Sequence, residues 1–202
     1  TLGLVAAGVV AKKLLGTVRI IATILEAGGN EWIAENVERA VAEGDSIGAI
    51  LECRATGLPV GLGEPFFDAV ESLLSHIIFA IPGIRGIEFG AGFASARMKG
   101  SACNDPILDA NGTTATNHAG GINGGITNGN ELYFRVAAKP TSSISKEQTT
   151  INLQTGEQTS LVVKGRHDAC FALRLPVVIE AATAIVLADL MLLEQNLSRV
   201  VR

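Results

Sequence analysis

The sequence predicts an α+β fold in which sheets cover an inner layer of helices. Three observations carry this expectation. The first and last long apolar stretches, residues 2–15 and 176–195, have helical composition and little polar face, and such helices belong inside a protein. The segments between them include short strand-like runs that end at glycines. Aromatic residues make up only 4% of the 202, so a core has to be assembled from Ala, Val, Ile and Leu. Two inner helices with strands around them give a layered arrangement.

The elements follow in chain order. Residues 2–15 (LGLVAAGVVAKKLL) read as a helix whose small residues admit a close neighbour. Lys12 and Lys13 suit its C-terminal end, where the helix dipole favours cations. No Met precedes it, and the chain is expected to begin upstream of Thr1. Residues 17–29 read as a strand ending at Gly28–Gly29. Residues 31–44 read as a polar, exposed helix stopped by Gly44. A second strand covers 45–57. Residues 64–81 (EPFFDAVESLLSHIIFAI) read as an amphipathic helix with Pro65 in its first turn. Residues 83–100 alternate and are broken by glycines, which predicts a bent strand. Residues 101–128 read as loop, and 130–139 as a strand. Residues 149–165 read as strand with a turn at Thr155–Gly156. The closing helix, 176–195, contains Glu180 and Asp189. Each would cost roughly 2.5 kcal/mol or more at bilayer depth, so it is assigned to the core and not to a membrane.

Composition narrows the function. A formal net charge of −4 argues against a nucleic-acid partner. Cys53, Cys103 and Cys170 are scattered, with no CxxC pair, which points to reduced thiols in a reducing compartment. No basic region precedes the apolar start, so no signal peptide is evident. A cytoplasmic location is expected. His76, His118 and His167 lie far apart, and no metal site is expected. No P-loop, GxSxG or HExxH motif occurs, and "GLGEPF" lacks the third glycine of a dinucleotide fingerprint.

Two polar runs stand out. "KPTSS", Lys139 to Ser143, places one ammonium beside three hydroxyls, a set able to hold a phosphate, although it also reads as ordinary loop. "GRHDAC", Gly165 to Cys170, puts an arginine, an imidazole and a carboxylate in sequence; its alternative is a solvated turn. The glycine-rich run "TNHAGGINGGITNG" (116–129) is either a connector or a surface where main chain meets a ligand. These three loops are expected to converge at one edge of a sheet and to form an anion site.

With "GDSIGA" (44–49), "GLGEP" (61–65) and "GS..ND" (100–105), these runs occur in the order and approximate spacing of chorismate synthase, and the whole chain resembles that family. The resemblance implies a layered β-α-β sandwich, with antiparallel sheets on core helices. It implies the anti-1,4-elimination of phosphate from 5-enolpyruvylshikimate 3-phosphate, giving chorismate in the shikimate pathway toward aromatic amino acids. It implies reduced FMN as cofactor, with NADPH as reductant in some members, and a homotetramer. FMN contacts carry over to Pro82, Gly83, Gly124, Lys139, Pro140, Thr141, Ser142, Ser143 and Arg166. Arg166 is also placed at the substrate, and Asp168 near the flavin as a proton relay. Asn117 and His118 are expected to hold the shape of the glycine-rich loop.

The match departs from the family in two places. Ala169 stands where the family has proline after "GRHD", which would loosen the loop aiming Asp168. The family's two catalytic histidines and several substrate arginines lie upstream of the position matching Thr1. Residues 1–202 therefore read as the C-terminal portion of a single domain, with little or no activity alone and the missing N-terminal segment as a partner. The alternative is a non-catalytic fragment that keeps the fold and acts in assembly or weak flavin binding.

Overall fold

The computed structural model describes residues 1–194. The expected helix at the start is α1, Leu2–Leu14, and the two strands and helix that follow are β1 (Arg19–Ala27), α2 (Ile33–Ala42) and β2 (Ala49–Thr56). Then come α3 (Val70–Phe79), β3 (Ile84–Phe89), the four-residue α4 (Gly100–Cys103), and a tiny hairpin of β4 (Ile122–Asn123) and β5 (Ile126–Thr127). Strand β6 (Leu132–Ala138), the hairpin β7 (Gln148–Ile151) with β8 (Gln158–Leu161), and α5 (Leu175–Leu193) complete the fold. Gln195, the last residue of the expected closing helix, lies outside the described residues.

One antiparallel sheet, ordered β1-β2-β6-β3, forms the first layer. Its inward residues obey the period of two: Leu51, Cys53 and Ala55 on β2, and Leu132, Phe134 and Val136 on β6, are buried. They face α5, where Ile179, Ala182 and Leu187 are buried in the same core. Burial pushes the Cys53 thiol up to about 12, so this cysteine is a core residue and not a nucleophile. Helix α1 lies against α5 at Gly8, where a β-carbon would come 2.3 Å from that of Ala181. The small residues of α1 thus do what their composition predicts.

Helix α5 is long and apolar enough to cross a membrane, yet two thirds of its most apolar stretch is buried against α1, α3 and the sheet. Its two acids have different surroundings. Asp189 is exposed. Glu180 points into the seam between layers, where it pairs with Lys12 of α1 and accepts the Ala22 amide of β1 at 3.0 Å. One carboxylate therefore ties three elements together. Glu180→Ala strips both donors of their acceptor and is expected to cost about 1–3 kcal/mol. Glu180→Gln keeps an acceptor for the amide and is expected to cost less. Urea denaturation of the two variants checks this, and equal stability of both with the parent would refute the clamp. Beyond the helices, α1, α3 and α5 frame an apolar groove of about 630 Å³, lined by Val10, Leu14, Leu73, Ile77, Ile185 and Leu192.

Two expectations need correction. Helix α3 starts at Val70 and not at Glu64, so Pro65 is outside it. Residues 64–68 form a turn closed by the Glu64 amide on Asp68 O, with Phe66 and Phe67 exposed. The helix is started from elsewhere in the chain, by the Val70 amide on Gly125 O. The bent strand over 83–100 is shorter than expected: β3 stops at Phe89 and a 3-10 helix follows over Gly92–Arg97. Gly90 ends the strand with a left-handed φ of 55° and lies against the backbone of His118.

Candidate functional site

The basic motifs meet at the C-terminal end of β6. Lys139 follows the strand directly, and its amide donates to Gly83 O at 2.9 Å, so the Pro82–Gly83 turn and the Lys139–Ser143 run are joined. The loop 44–48 holds that run from the other side. Ser46 Oγ donates to Thr141 O at 2.6 Å, and a β-carbon on Gly48 would lie 2.6 Å from Ala138 O and 3.2 Å from Pro140 Cδ. The same loop reaches the third motif through the Ile47 amide, which donates to Ala169 O at 2.8 Å. The Ala169 position is therefore anchored by its carbonyl, whatever a proline ring would have added. Gly83 packs under Phe171, whose ring tip would lie 2.3 Å from a β-carbon there.

The side chains at this junction divide into paired and unpaired. Asp168 binds Arg174 through two parallel bonds, Nη2 to Oδ1 at 2.8 Å and Nη1 to Oδ2 at 3.1 Å. His167 Nε2 turns back to Val163 O at 2.9 Å. Among the described residues Lys139 and Arg166 make no ion pair, and the buried Thr141 Oγ1 has no hydrogen-bond partner. An ammonium, a guanidinium and a hydroxyl are donors of the kind an oxyanion takes, so by their chemistry the residues of these two runs suit a phosphate.

The glycine-rich loop is elsewhere. It is tied to the start of β6: Tyr133 N donates to Gly120 O at 3.0 Å, and Asn117 Nδ2 to Glu131 O at 2.8 Å. The seven residues of β6 separate it from Lys139 by roughly 20 Å. The expected convergence of three loops at one edge thus reduces to two, with the third at the far end of the same strand. Most of its glycines serve the chain's own packing. Gly120, at φ 67°, stands with its β-carbon position 2.5 Å from Gly90 N and 2.7 Å from Tyr133 O. Gly124 differs: it is exposed, its φ is 58°, and a β-carbon there would meet nothing within 4 Å.

Asp105 organises this far end. It accepts Thr116 Oγ1 at 2.7 Å and the amides of His118 and Ala119 at 2.8 and 2.9 Å, with His118 Nδ1 3.3 Å away. Burial alone would raise its carboxyl; the Ala119 amide, the Thr116 hydroxyl, the His118 amide and the nearby imidazole outweigh that and leave it below the usual carboxylate range. Asn117 holds the loop, as expected, by accepting the Gly121 amide at 2.8 Å. A cavity of about 710 Å³ opens here between Asp105, His118, Asn123 and Glu71. Among the described residues no group of three or more His, Cys, Asp or Glu could hold a metal ion.

Sequence reasoning missed Ser46, Gly48 and Arg174. "GDSIGA" was legible as a motif but read as the start of a strand, and Arg174 lies two residues before the expected closing helix and carried no expectation.

An α+β layer fold, with two donor-bearing loops joined at one end of its sheet, defines the class of this protein. Comparison with known proteins makes it particular. The family model described as chorismate synthase matches residues 1–192. The chain is 62% identical over 201 residues to a chorismate synthase of Chitinophaga pinensis, covering 99% of this chain and 60% of that protein. It is 43% identical over 233 aligned residues to one of Dehalococcoides mccartyi, covering 100% of this chain and 64% of that protein. A solved structure titled as a crystal structure of chorismate synthase superposes with a TM-score of 0.76 at 24% identity, over 95% of this chain and 63% of the other. That likeness speaks for the fold alone. This chain belongs to the chorismate synthase family, a family of lyases, and spans about three fifths of the length of these relatives.

Proposed function

We propose that this chain carries the FMN-phosphate zone of a chorismate synthase active site. The observation that supports this most is the junction itself: the loop 44–48 bonds to both Thr141 and Ala169, and among the described residues Lys139 and Arg166 make no ion pair while the Thr141 hydroxyl has no hydrogen-bond partner. On this reading Pro82, Gly83 and the run from Lys139 to Ser143 hold the cofactor, with Arg166. Gly124, at the other end of β6, is assigned to the flavin by resemblance alone. The enzyme is a carbon–oxygen lyase acting on a phosphate, its substrate 5-enolpyruvylshikimate 3-phosphate. It is a cytoplasmic homo-oligomer, a tetramer by family habit, and residues 1–202 are one portion of a single domain.

Reduced FMN, when bound, supplies electron density for an elimination without net redox change. The residues of this chain manage charge around it. As the carbon–oxygen bond to phosphate breaks, negative charge grows on the leaving group, and the positive charge of Arg166, at the border of cofactor and substrate on this reading, offsets it. The proton lost from the ring needs an acceptor, and Asp168 is a relay for proton movement near the flavin.

Titration of FMN fluorescence tests the binding half. Lys139→Ala and Arg166→Ala are each expected to weaken FMN about tenfold, the loss of one charged hydrogen bond of roughly 1.5 kcal/mol. Unchanged affinity in both would refute the site. An anaerobic assay with chemically reduced FMN and 5-enolpyruvylshikimate 3-phosphate tests the chemistry, with little or no chorismate expected from this chain alone. Activity on adding the upstream part of a relative would mark a divided site. FMN binding with no turnover under either condition would favour a non-catalytic fragment, the reading its three-fifths coverage also admits.

A further inference from the structure

Three charged side chains share one short segment: Arg166, Asp168 and Arg174. Arg166 and Asp168 are two residues apart in irregular, non-helical chain. Asp168 is the carboxylate nearest to Arg166 along the chain. The same spacing makes an ion pair elsewhere in this molecule, where Arg54 Nη2 lies 3.1 Å from Glu52 Oε2 on β2. Asp168 stands at that spacing from Arg166 but pairs elsewhere. Both of its carboxylate oxygens are occupied by Arg174, which caps the start of α5 and so is carried by a rigid element. His167 does not intervene, because its ring bonds to Val163 O. The Asp168–Arg174 side chains are 42% and 72% exposed, and an ion pair this open contributes little to stability. Its two-point geometry fixes orientation instead.

From this arrangement we infer that Arg174 is a positioning residue: by holding both oxygens of Asp168 it keeps that carboxylate away from Arg166, and so leaves the Arg166 guanidinium for an oxyanion ligand. The inference rests on the reading of Arg166 as the anion-binding group. It also gives the relay carboxylate a fixed place on the helix side of the junction. A lysine at 174 would keep the charge but not the fork, and would hold Asp168 less well.

The test uses the 202-residue chain and an arginine-selective dicarbonyl, phenylglyoxal, with modification rates read residue by residue by mass spectrometry. In the parent protein Arg166 is expected to react faster than Arg174. Arg174→Gln is expected to slow Arg166 roughly two- to fivefold, the range an exposed ion pair supports. Arg174→Lys is expected to fall between. Arg174→Gln combined with Asp168→Asn is expected to restore the parent rate, since the competing carboxylate is gone. Asp168→Asn alone reads the same claim from the other side: Arg174 speeds up and Arg166 does not change. An unfolded variant would speed Arg166 and not slow it, so misfolding cannot imitate the result. An unchanged Arg166 rate in Arg174→Gln, or an Arg166 rate raised by Asp168→Asn alone, overturns the inference. Added FMN separates it from the reading it rests on. Protection of Arg166 by FMN in the parent, lost in Arg174→Gln and regained in the double variant, supports both. The same rate pattern with no protection by FMN leaves Arg174 as the residue that frees Arg166 and refutes the flavin reading.

Discussion

Gly48→Ala is expected to lower stability by about 1–3 kcal/mol, the usual cost of forcing extra volume into a packed seam. It is also expected to weaken FMN binding by more than about tenfold, a loss above roughly 1.4 kcal/mol. The reason is steric and not conformational, because Gly48 does not have a left-handed φ. Its added methyl would sit 2.6 Å from Ala138 O and 3.2 Å from Pro140 Cδ. One of the two backbones has to move: either the run that carries Lys139 and Thr141 or the loop that holds it in place. Ser46, two residues before, bonds to Thr141 O and would be pulled with it. Gly124→Ala is the contrasting variant. It meets no atom within 4 Å and pays only for its left-handed φ, roughly 1–2 kcal/mol. Urea denaturation of both variants and FMN titration of Gly48→Ala check the claim. Parent-like stability and affinity in Gly48→Ala would mean that the loop 44–48 does not hold the Lys139–Ser143 run.

That pair of glycines also marks where sequence reasoning reaches and where it ends. Elements set by their own periodicity were legible: α1, α2 and α5, and strands β1, β2 and β6, whose burial alternates along the chain. Elements set by a distant partner were not. Helix α3 begins where Gly125 receives the Val70 amide, a contact between segments 55 positions apart that no local pattern encodes. Strand β3 ends where Gly90 meets His118. The site divides in the same way. "KPTSS" and "GRHD" could be picked out as charge beside hydroxyls, and the structure brings them together. That the glycine-rich loop lies one strand length away could not be read from order along the chain, because a loop preceding a strand and a loop following it are both its neighbours in sequence. Arg174 was hidden for a related reason. Its role depends on Asp168 having a choice between two guanidiniums, and that choice appears only once α5 is placed.

Asp105→Ala is expected to cost roughly 2–6 kcal/mol, because it leaves the part-buried His118 and Ala119 amides without an acceptor, each loss worth about 1–3 kcal/mol, while the exposed Thr116 hydroxyl can turn to water. Asp105→Asn retains one acceptor oxygen and is expected to cost less. The pH dependence separates the carboxylate's charge from its shape. The folded carboxyl titrates below its ordinary value, with the Ala119 amide, the Thr116 hydroxyl and His118 outweighing burial. A group depressed on folding binds its proton more readily in the unfolded chain, so its contribution is fully present above the unfolded value, about 3.9, and disappears as pH falls through the folded one. The stability gap between parent and Asp105→Asn should therefore be present at pH 7 and pH 5 and should shrink below about pH 4. Urea denaturation at pH 7, 5 and 3 reads that gap. A gap that persists unchanged at pH 3 would mean that Asp105 acts through shape alone. A gap that closes as described ties the far end of β6, with its 710 Å³ cavity and the seam between Gly90 and Gly120, to a single ionised carboxylate.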